Sequence, residues 1–358
     1  MGIHYKLYCA VTVNICKKNT NFAGVFNKSI CSCMKRSVAV VCGGDSSESE
    51  VSLRSAKGIF SFLDKTKYDP VIVTIHGAVW MAVLDDENAV LVDKNDFSYV
   101  CSDGVRRHFD FAYITIHGTP GENGRLQGYF DMLNIPYSCC GVLAAALTFN
   151  KFACNHYLQD FGVNISPSIL LRRNDVVDDA VVVNKIGLPC FVKSNVGGSS
   201  FGCTKVKKVE DIKPAIHRAF EEGDEVIVEA FMKGVEITCG VYKTHDKAVA
   251  FPITEVVSKN EFFDYNAKYN GEVSEITPAR IPDEVRDAVQ RLTLNIYDIL
   301  GCRGIIRVDY ILTEGWKINL LEINTTPGMT ATSFIPQQVR AAGLNISDVL
   351  TDIIEDHF

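Results

Sequence analysis

A chain of 358 residues is long for a single core, so two or three domains are expected. A net charge of -7 argues against a nucleic-acid binder, which would carry a basic surplus, and no apolar run approaches the roughly 20 residues of a membrane span. The thirteen cysteines form an odd set with no C-x-x-C pair, which indicates neither a disulfide framework nor a zinc ribbon and fits a reducing cytoplasm, leaving small-molecule chemistry as the expected business of the chain.

Residues 1–33 hold four of those cysteines and show no periodicity. Their apolar stretch 7–13 follows Lys6 like a very short signal-peptide core, but it is broken at Asn14 and has no small-x-small cleavage pattern. We expect an extension or misassigned start here, with the working domain beginning at Met34. An α/β substrate domain is expected over 34–140. It opens with a buried-type strand at 38–42, a Gly-Gly-Asp-Ser-Ser-Glu loop and a helix to about Leu63, and continues with strands near Val71 and Phe111. Residues 141–232 form a central region with helices at 142–147 and 151–161 and strands at Ser168, Pro189, Cys203 and Glu225. Residues 233–358 close the chain with a helix at 282–300, two strands at 304–313 and 316–323, and a last helix at 346–356.

The two late strands carry the strongest chemical signal. Period-2 alternation places Arg307 and Asp309 on one face and Glu322 and Asn324 on one face, while Ile305-Ile306, Ile311-Leu312 and Leu320-Leu321 supply apolar cover. Carboxylates and an amide without nearby Cys or His suit magnesium, which completes its shell with water and phosphate oxygens. A solvated sheet face is the plainer reading, but charge at one end of buried strands is costly without metal, phosphate or a salt bridge.

Other segments are more ambiguous. Glu48 and Glu50 stand at a helix start, where acids favour the dipole, and Glu48 equally suits a ligand ammonium. His117 lies at a strand's carboxyl end, beside glycines whose backbone N–H groups can meet an anion. The loop 193–202 lacks the Gly-Lys-Ser/Thr of a Walker loop and reads either as a hairpin turn or as a flap over phosphates, with Lys193, on an otherwise apolar strand, requiring a partner. Glu229-Ala230-Phe231-Met232, followed by Glu236, offers a strand edge and carboxylates suited to adenine and ribose. The stretch 264–269 reads as a loop, either a lid or a solvated excursion.

In this order, the segments G-G-D-S-S-E-S-E-V-S, H-G-T-P-G-E-N-G, V-K-S-N-V-G-G-S-S-F-G, D-Y-N-A-K-Y, R-V-D-Y and L-E-I-N-T-T-P-G-M-T resemble the ATP-grasp D-alanine:D-alanine ligases, from about Met34 to the C-terminus. The resemblance implies an ATP-grasp fold with ATP between the second and third parts. It also implies transfer of the ATP γ-phosphate to one D-alanine carboxylate and attack by a second D-alanine amine on the acyl phosphate. Two magnesium (or manganese) ions would be held by Asp309, Glu322 and Asn324. Lys151, Lys193 and Lys268 would hold phosphates with Ser199 and Ser200, and Glu229, Ala230, Met232 and Glu236 would surround adenine and ribose. Arg307 and the Gly328 N–H would stabilise the tetrahedral oxyanion. Glu48 would hold the first D-alanine's ammonium, linked with Ser199 and Tyr269, with His117 nearby, and Ser333 and Lys268 would take the second carboxylate. Ala230 departs from the Lys or Glu found in many members, Phe263 from Tyr, and Thr332 from His. Tyr269 is the form associated with D-alanine. A D-lactate or D-serine ligase and a non-catalytic nucleotide sensor are the alternatives, and a homodimer is the family's assembly.

Overall fold

The computed structural model describes residues 35–85, 87–198, 202–258 and 273–358. Its first sheet grows from β1 (Arg36–Gly43), whose run Val38 to Cys42 is wholly buried. A strand buried on both faces must be covered on both, and it pairs in parallel with β2 (Tyr68–His76) and β7 (Phe111–Ile114). One face packs on α1 (Ser49–Phe62) through Ala56 and Ile59. The other receives Leu126 and Phe130 of α2 (Arg125–Leu133). Beyond β2 the sheet turns antiparallel through β3 (Val79–Val83), β4 (Ala89–Asp93), β5 (Ser98–Val100) and β6 (Arg106–His108), giving the order β6-β5-β4-β3-β2-β1-β7. Sequence reading does not anticipate these four strands, because they are three to five residues long and partly exposed, which leaves little period-2 signal.

Two short helices, α3 (Val142–Phe149) and α4 (Lys151–Gln159), follow, with Asn150 capping α4 by accepting the Ala153 N–H at 2.9 Å. The second sheet is antiparallel, ordered β10 (Thr204–Val206), β9 (Cys190–Ser194), β11 (Glu225–Ala230) and β8 (Ser168–Arg172). It is backed by α5 (Asp179–Lys185) and by α6 (Ile212–Ala219). The latter buries Ile212, Ala215, Ile216 and Ala219 on one stripe at helical spacing.

The third sheet runs β15 (Val273–Ile276), β14 (Thr254–Ser258), β12 (Val235–Lys243), β16 (Ile305–Thr313), β17 (Lys317–Asn324), with β13 (Ala248–Ala250) also on β12. Ile237, Cys239, Val241, Ile306, Val308 and Tyr310 point to a core shared with Val289 and Ile296 of α7 (Asp283–Ile299). Alternation sends Thr238, Arg307 and Asp309 to the opposite face, where the site lies. After α8 (Phe334–Ala341), the closing helix α9 (Ile346–Glu355) returns to the first sheet. It buries Val349, Leu350, Ile353 and Ile354 with Val38, Val40, Phe111 and Tyr113, while Glu355 meets Arg36 at 3.2 Å and the Tyr68 hydroxyl at 2.8 Å.

Gly304 marks a close backbone approach, because it has φ +66° and a Cβ there would lie 1.8 Å from the Ser138 carbonyl oxygen. Gly304→Ala should therefore cost at least about 2 kcal/mol of stability, from strain and steric displacement together. Chemical denaturation checks this, and an unchanged midpoint would show that the contact relaxes without cost.

Candidate active site

The end of β16 and β17 sets the chemistry. Arg307 pairs in register with Asn324 and Asp309 with Glu322, after which a bulge interrupts the ladder between Asp309 and Tyr310. On the other side of β16, Thr238 of β12 is opposite Asp309. The Asp309 carboxylate accepts Arg307 Nε at 2.9 Å and Nη2 at 2.8 Å, the Thr238 hydroxyl at 2.5 Å and Asn324 Nδ2 at 3.0 Å. Such a fork holds both planes fixed. Burial acts to lower the Arg307 pKa, but the Asp309 charge and its hydrogen bonds outweigh it, so the guanidinium is held above its ordinary range. Because Asn324 donates through nitrogen, its carbonyl oxygen is on the other arm of the amide.

Cations face this acidic end from the second sheet and α4. Lys151 Nζ stands 3.9 Å from Glu322 and donates to the Gly197 carbonyl at 2.5 Å. Lys193, on β9 and facing the cavity, has its partner in Glu229 of β11, with Nζ 2.6 Å from Oε2 and side chains only 13% and 6% exposed. Desolvation works against the charged lysine, yet Glu229 and then Glu322 outweigh it, and the ammonium is held above its usual range. Asn195 fastens the loop below: its side chain accepts the Phe152 N–H at 2.8 Å and donates to Glu225 at 2.8 Å and Asn150 at 2.9 Å.

The first sheet contributes the loops at the carboxyl ends of β1 and β7. Glu48 precedes α1 without capping it through its side chain, and a Cβ on Gly198 would come within 2.7 Å of its carboxylate. A side chain at this position would have to push the Glu48 carboxylate aside. Glu50 lies in the first turn of α1 and is exposed. His117 is buried, its Nε2 3.4 Å from Ser55 Oγ. Desolvation is the main influence on its imidazole and lowers the pKa, against a smaller opposing effect of Glu48. Gly328 and Ser333 meet after β17: a Cβ at Gly328 would lie 3.0 Å from Ser333 Oγ, which accepts the Thr330 N–H at 3.1 Å.

Most of these groups, though not Glu50, Ser55 or Asn195, line one cavity of about 880 Å³. It gathers Glu48, His117, Lys151, Lys193, Glu229, Ala230, Met232, Glu236, Arg307, Asp309, Glu322, Asn324, Gly328 and Ser333. Ala230 engages its backbone with protein partners, its N–H with the Pro167 carbonyl and its carbonyl with the Ser166 hydroxyl. Ser199, Ser200, Lys268 and Tyr269, and with them the 264–269 loop, lie outside the described residues, as do residues 1–33.

Sequence reading passed over several members of the wall. Thr238 was hidden because its partner Asp309 is 71 residues away. Phe191 was detectable, since it is two residues before Lys193 on the same strand and so on the same face, where its ring lies 5.9 Å from Phe231. Glu122 stands within the H-G-T-P-G-E-N-G segment but had no assigned task. Its carboxylate accepts the Gly118 N–H and the Thr326 hydroxyl, each at 2.7 Å. Desolvation, reinforced by Glu48, pushes its pKa up to about 7.

Comparisons with known proteins agree along the chain. Family models described as "D-ala D-ala ligase N-terminus" and "D-ala D-ala ligase C-terminus" match residues 37–140 and 157–355. A "D-alanine--D-alanine ligase" of Phocaeicola vulgatus is 66% identical over 325 residues, covering 91% of this chain and 100% of that protein. Among solved structures, the VanG D-Ala:D-Ser ligase of Enterococcus faecalis aligns with TM-score 0.80 at 30% identity, over 90% of this chain and 100% of the other. The ATP complex of a Bacillus anthracis D-alanine--D-alanine ligase aligns with TM-score 0.72 at 29% identity, over 90% and 97%.

Two outcomes follow from the electrostatics. Lys193→Met should cost about 3 kcal/mol or more, because it leaves Glu229 without its partner in the cavity wall; a denaturation midpoint equal to the wild type's would contradict this. Glu122 binds its proton more tightly folded than unfolded, so its contribution to stability is present at acid pH and is lost as pH rises through about 7. The Tm of Glu122→Gln relative to the wild type should therefore rise between pH 5 and pH 8, as read by calorimetry.

Proposed function

The chain belongs to the D-alanine:D-alanine ligase family, and we propose that it joins two D-alanine molecules at the expense of ATP, for peptidoglycan precursor synthesis. The observation that carries this reading is the convergence of phosphate-type cations, an acid-amide set, an oxyanion-type donor pair and an ammonium-type carboxylate on one cavity. We take its working parts to be the N-terminal region 34–140 and the two ATP-grasp halves, 141–232 and 233–358.

Lys151 and Lys193 would hold the ATP phosphates, while Glu229, Met232 and Glu236 would receive adenine and ribose beside Phe191 and Phe231. Asp309, Glu322 and Asn324 are hard oxygen donors at the cavity wall. Their chemistry fits magnesium, although among the described residues no three His, Cys, Asp or Glu side chains cluster as a self-sufficient metal site. Magnesium bound there, or manganese in its place, would offset the charge of the phosphate oxygens. Glu48 would hold the first substrate's ammonium, so that its carboxylate lies toward the phosphates.

Arg307 spends Nε and Nη2 on Asp309, which fixes the guanidinium plane and lets its remaining N–H groups act as preorganised donors beside the Gly328 N–H. That pair would stabilise the oxyanion when the second amine attacks the acyl phosphate. Ser333, next to Gly328, is placed to receive the second carboxylate. Lys268, Ser199, Ser200 and Tyr269 would complete the site. D-alanine is favoured as second substrate over D-serine, because the relative named for D-Ala:D-Ala ligation is 66% identical and the D-Ala:D-Ser ligase 30%. We further propose a cytoplasmic homodimer. Among the described residues, no helix is long and apolar enough to cross a membrane.

The test is coupled ADP release with the dipeptide identified by mass. D-alanine-dependent turnover should stop on chelation of magnesium and fall about 100-fold or more in Asp309→Asn and in Glu322→Gln, since each weakens the hold on the magnesium that would offset the charge of the transferring phosphoryl group. Nucleotide binding without D-alanine-dependent turnover would favour a sensor, and faster turnover with D-serine or D-lactate would reassign the second substrate.

A further inference from the structure

The loop 325–330 brings Gly328 to the cavity wall, yet within the loop the described side-chain bonds are those around Thr330 and Ser333. Its hold comes largely from the first sheet. On one side of Gly328, the Thr326 hydroxyl lies 2.7 Å from Glu122 Oε1 and 3.3 Å from the Ile116 carbonyl. On the other side, the Met329 N–H reaches Ser55 Oγ at 3.3 Å, and a Cβ on Gly58 would lie 2.2 Å from the Met329 carbonyl oxygen. Glu122 is itself fixed, because its Oε2 accepts the Gly118 N–H at 2.7 Å while its own N–H donates to the Gly118 carbonyl at 2.8 Å.

We propose that Glu122, acting through Thr326, is a positioning residue that aims the Gly328 N–H at the reacting centre. This rests on the ligase reading above. The Thr326 hydroxyl has one proton. When Glu122 is ionised that proton goes to Oε1. When Glu122 is neutral, its own O–H donates to Thr326 Oγ1, and the threonine proton turns to the Ile116 carbonyl. The clamp therefore stays closed in both charge states, and a glutamine can imitate the neutral one: its N–H donates to Thr326 Oγ1 while its oxygen accepts the Gly118 N–H. Alanine can do neither, and displacement of a preorganised donor by a fraction of an ångström costs rate rather than nucleotide binding.

Steady-state ADP release by the full-length protein separates the possibilities. Glu122→Ala should lower kcat about tenfold or more with KM for ATP within about twofold, whereas Glu122→Gln should keep kcat within about threefold. Thr326→Val, nearly isosteric, should behave like Glu122→Ala, and Thr326→Ser like the wild type; this second pair decides the matter even if the alanine variant folds poorly. Wild-type kcat in Glu122→Ala or Thr326→Val would overturn the inference. So would a rise in KM for ATP in step with the loss of kcat, or a glutamine variant as impaired as alanine. Absence of D-alanine-dependent ADP release in the wild type would instead overturn the ligase reading, and this inference with it.

Discussion

Opposite charges at the wall of a buried strand must be paired, and in this protein that requirement organises the site. Asp309 is fixed by four hydrogen bonds drawn from β12, β16 and β17, two of them from Arg307 only two residues away. The pair neutralises itself where desolvation would otherwise be prohibitive, and the same bonds orient the guanidinium and the Asn324 amide. The second sheet solves the same problem with Lys193 and Glu229. Each sheet thus supplies an internally balanced pair, and Glu322 and Lys151 face one another across the space between them.

Three layers of structure have to agree for that cavity to exist. Glycines sit at close approaches around it: Gly198 beside the Glu48 carboxylate and Gly58 under the Met329 carbonyl. The closing helix α9 joins the last residues of the chain to β1 and β7, so the loops bearing Glu48 and His117 are held by the same apolar cluster that includes Met329 and Ile335. Packing remote from the chemistry consequently bears on its geometry, because Met329 belongs to that cluster and adjoins Gly328.

Much of this was legible in the residues. Period-2 alternation placed Arg307, Asp309, Glu322 and Asn324 on shared faces, and the ladder pairs them as alternation requires. An apolar strand interrupted by Lys193 demanded a partner, and Glu229 is that partner. The family resemblance, carried by six ordered segments, agrees with matches to relatives over 91% of the chain. Less legible were β3 to β6, whose short and partly exposed strands lack a periodic signal. The tasks of Thr238, Ser55 and Glu122 were also hidden, because each bonds a residue far off in the chain, Asp309, Met329 and Thr326 in turn, at separations of 71, 274 and 204 positions.

The sequence by itself determined which chemical groups the protein has and, through local periodicity, which face of each strand carries them. Those are short-range consequences of side-chain alternation and backbone sterics. Only the tertiary structure decided which groups meet: that Asp309 takes Thr238 and Arg307 together, that Glu48 lies against Gly198, and that Glu122 grips Thr326 across 204 residues. Such pairings depend on sheet register and on the burial of remote apolar surfaces, and no local pattern of residues encodes them.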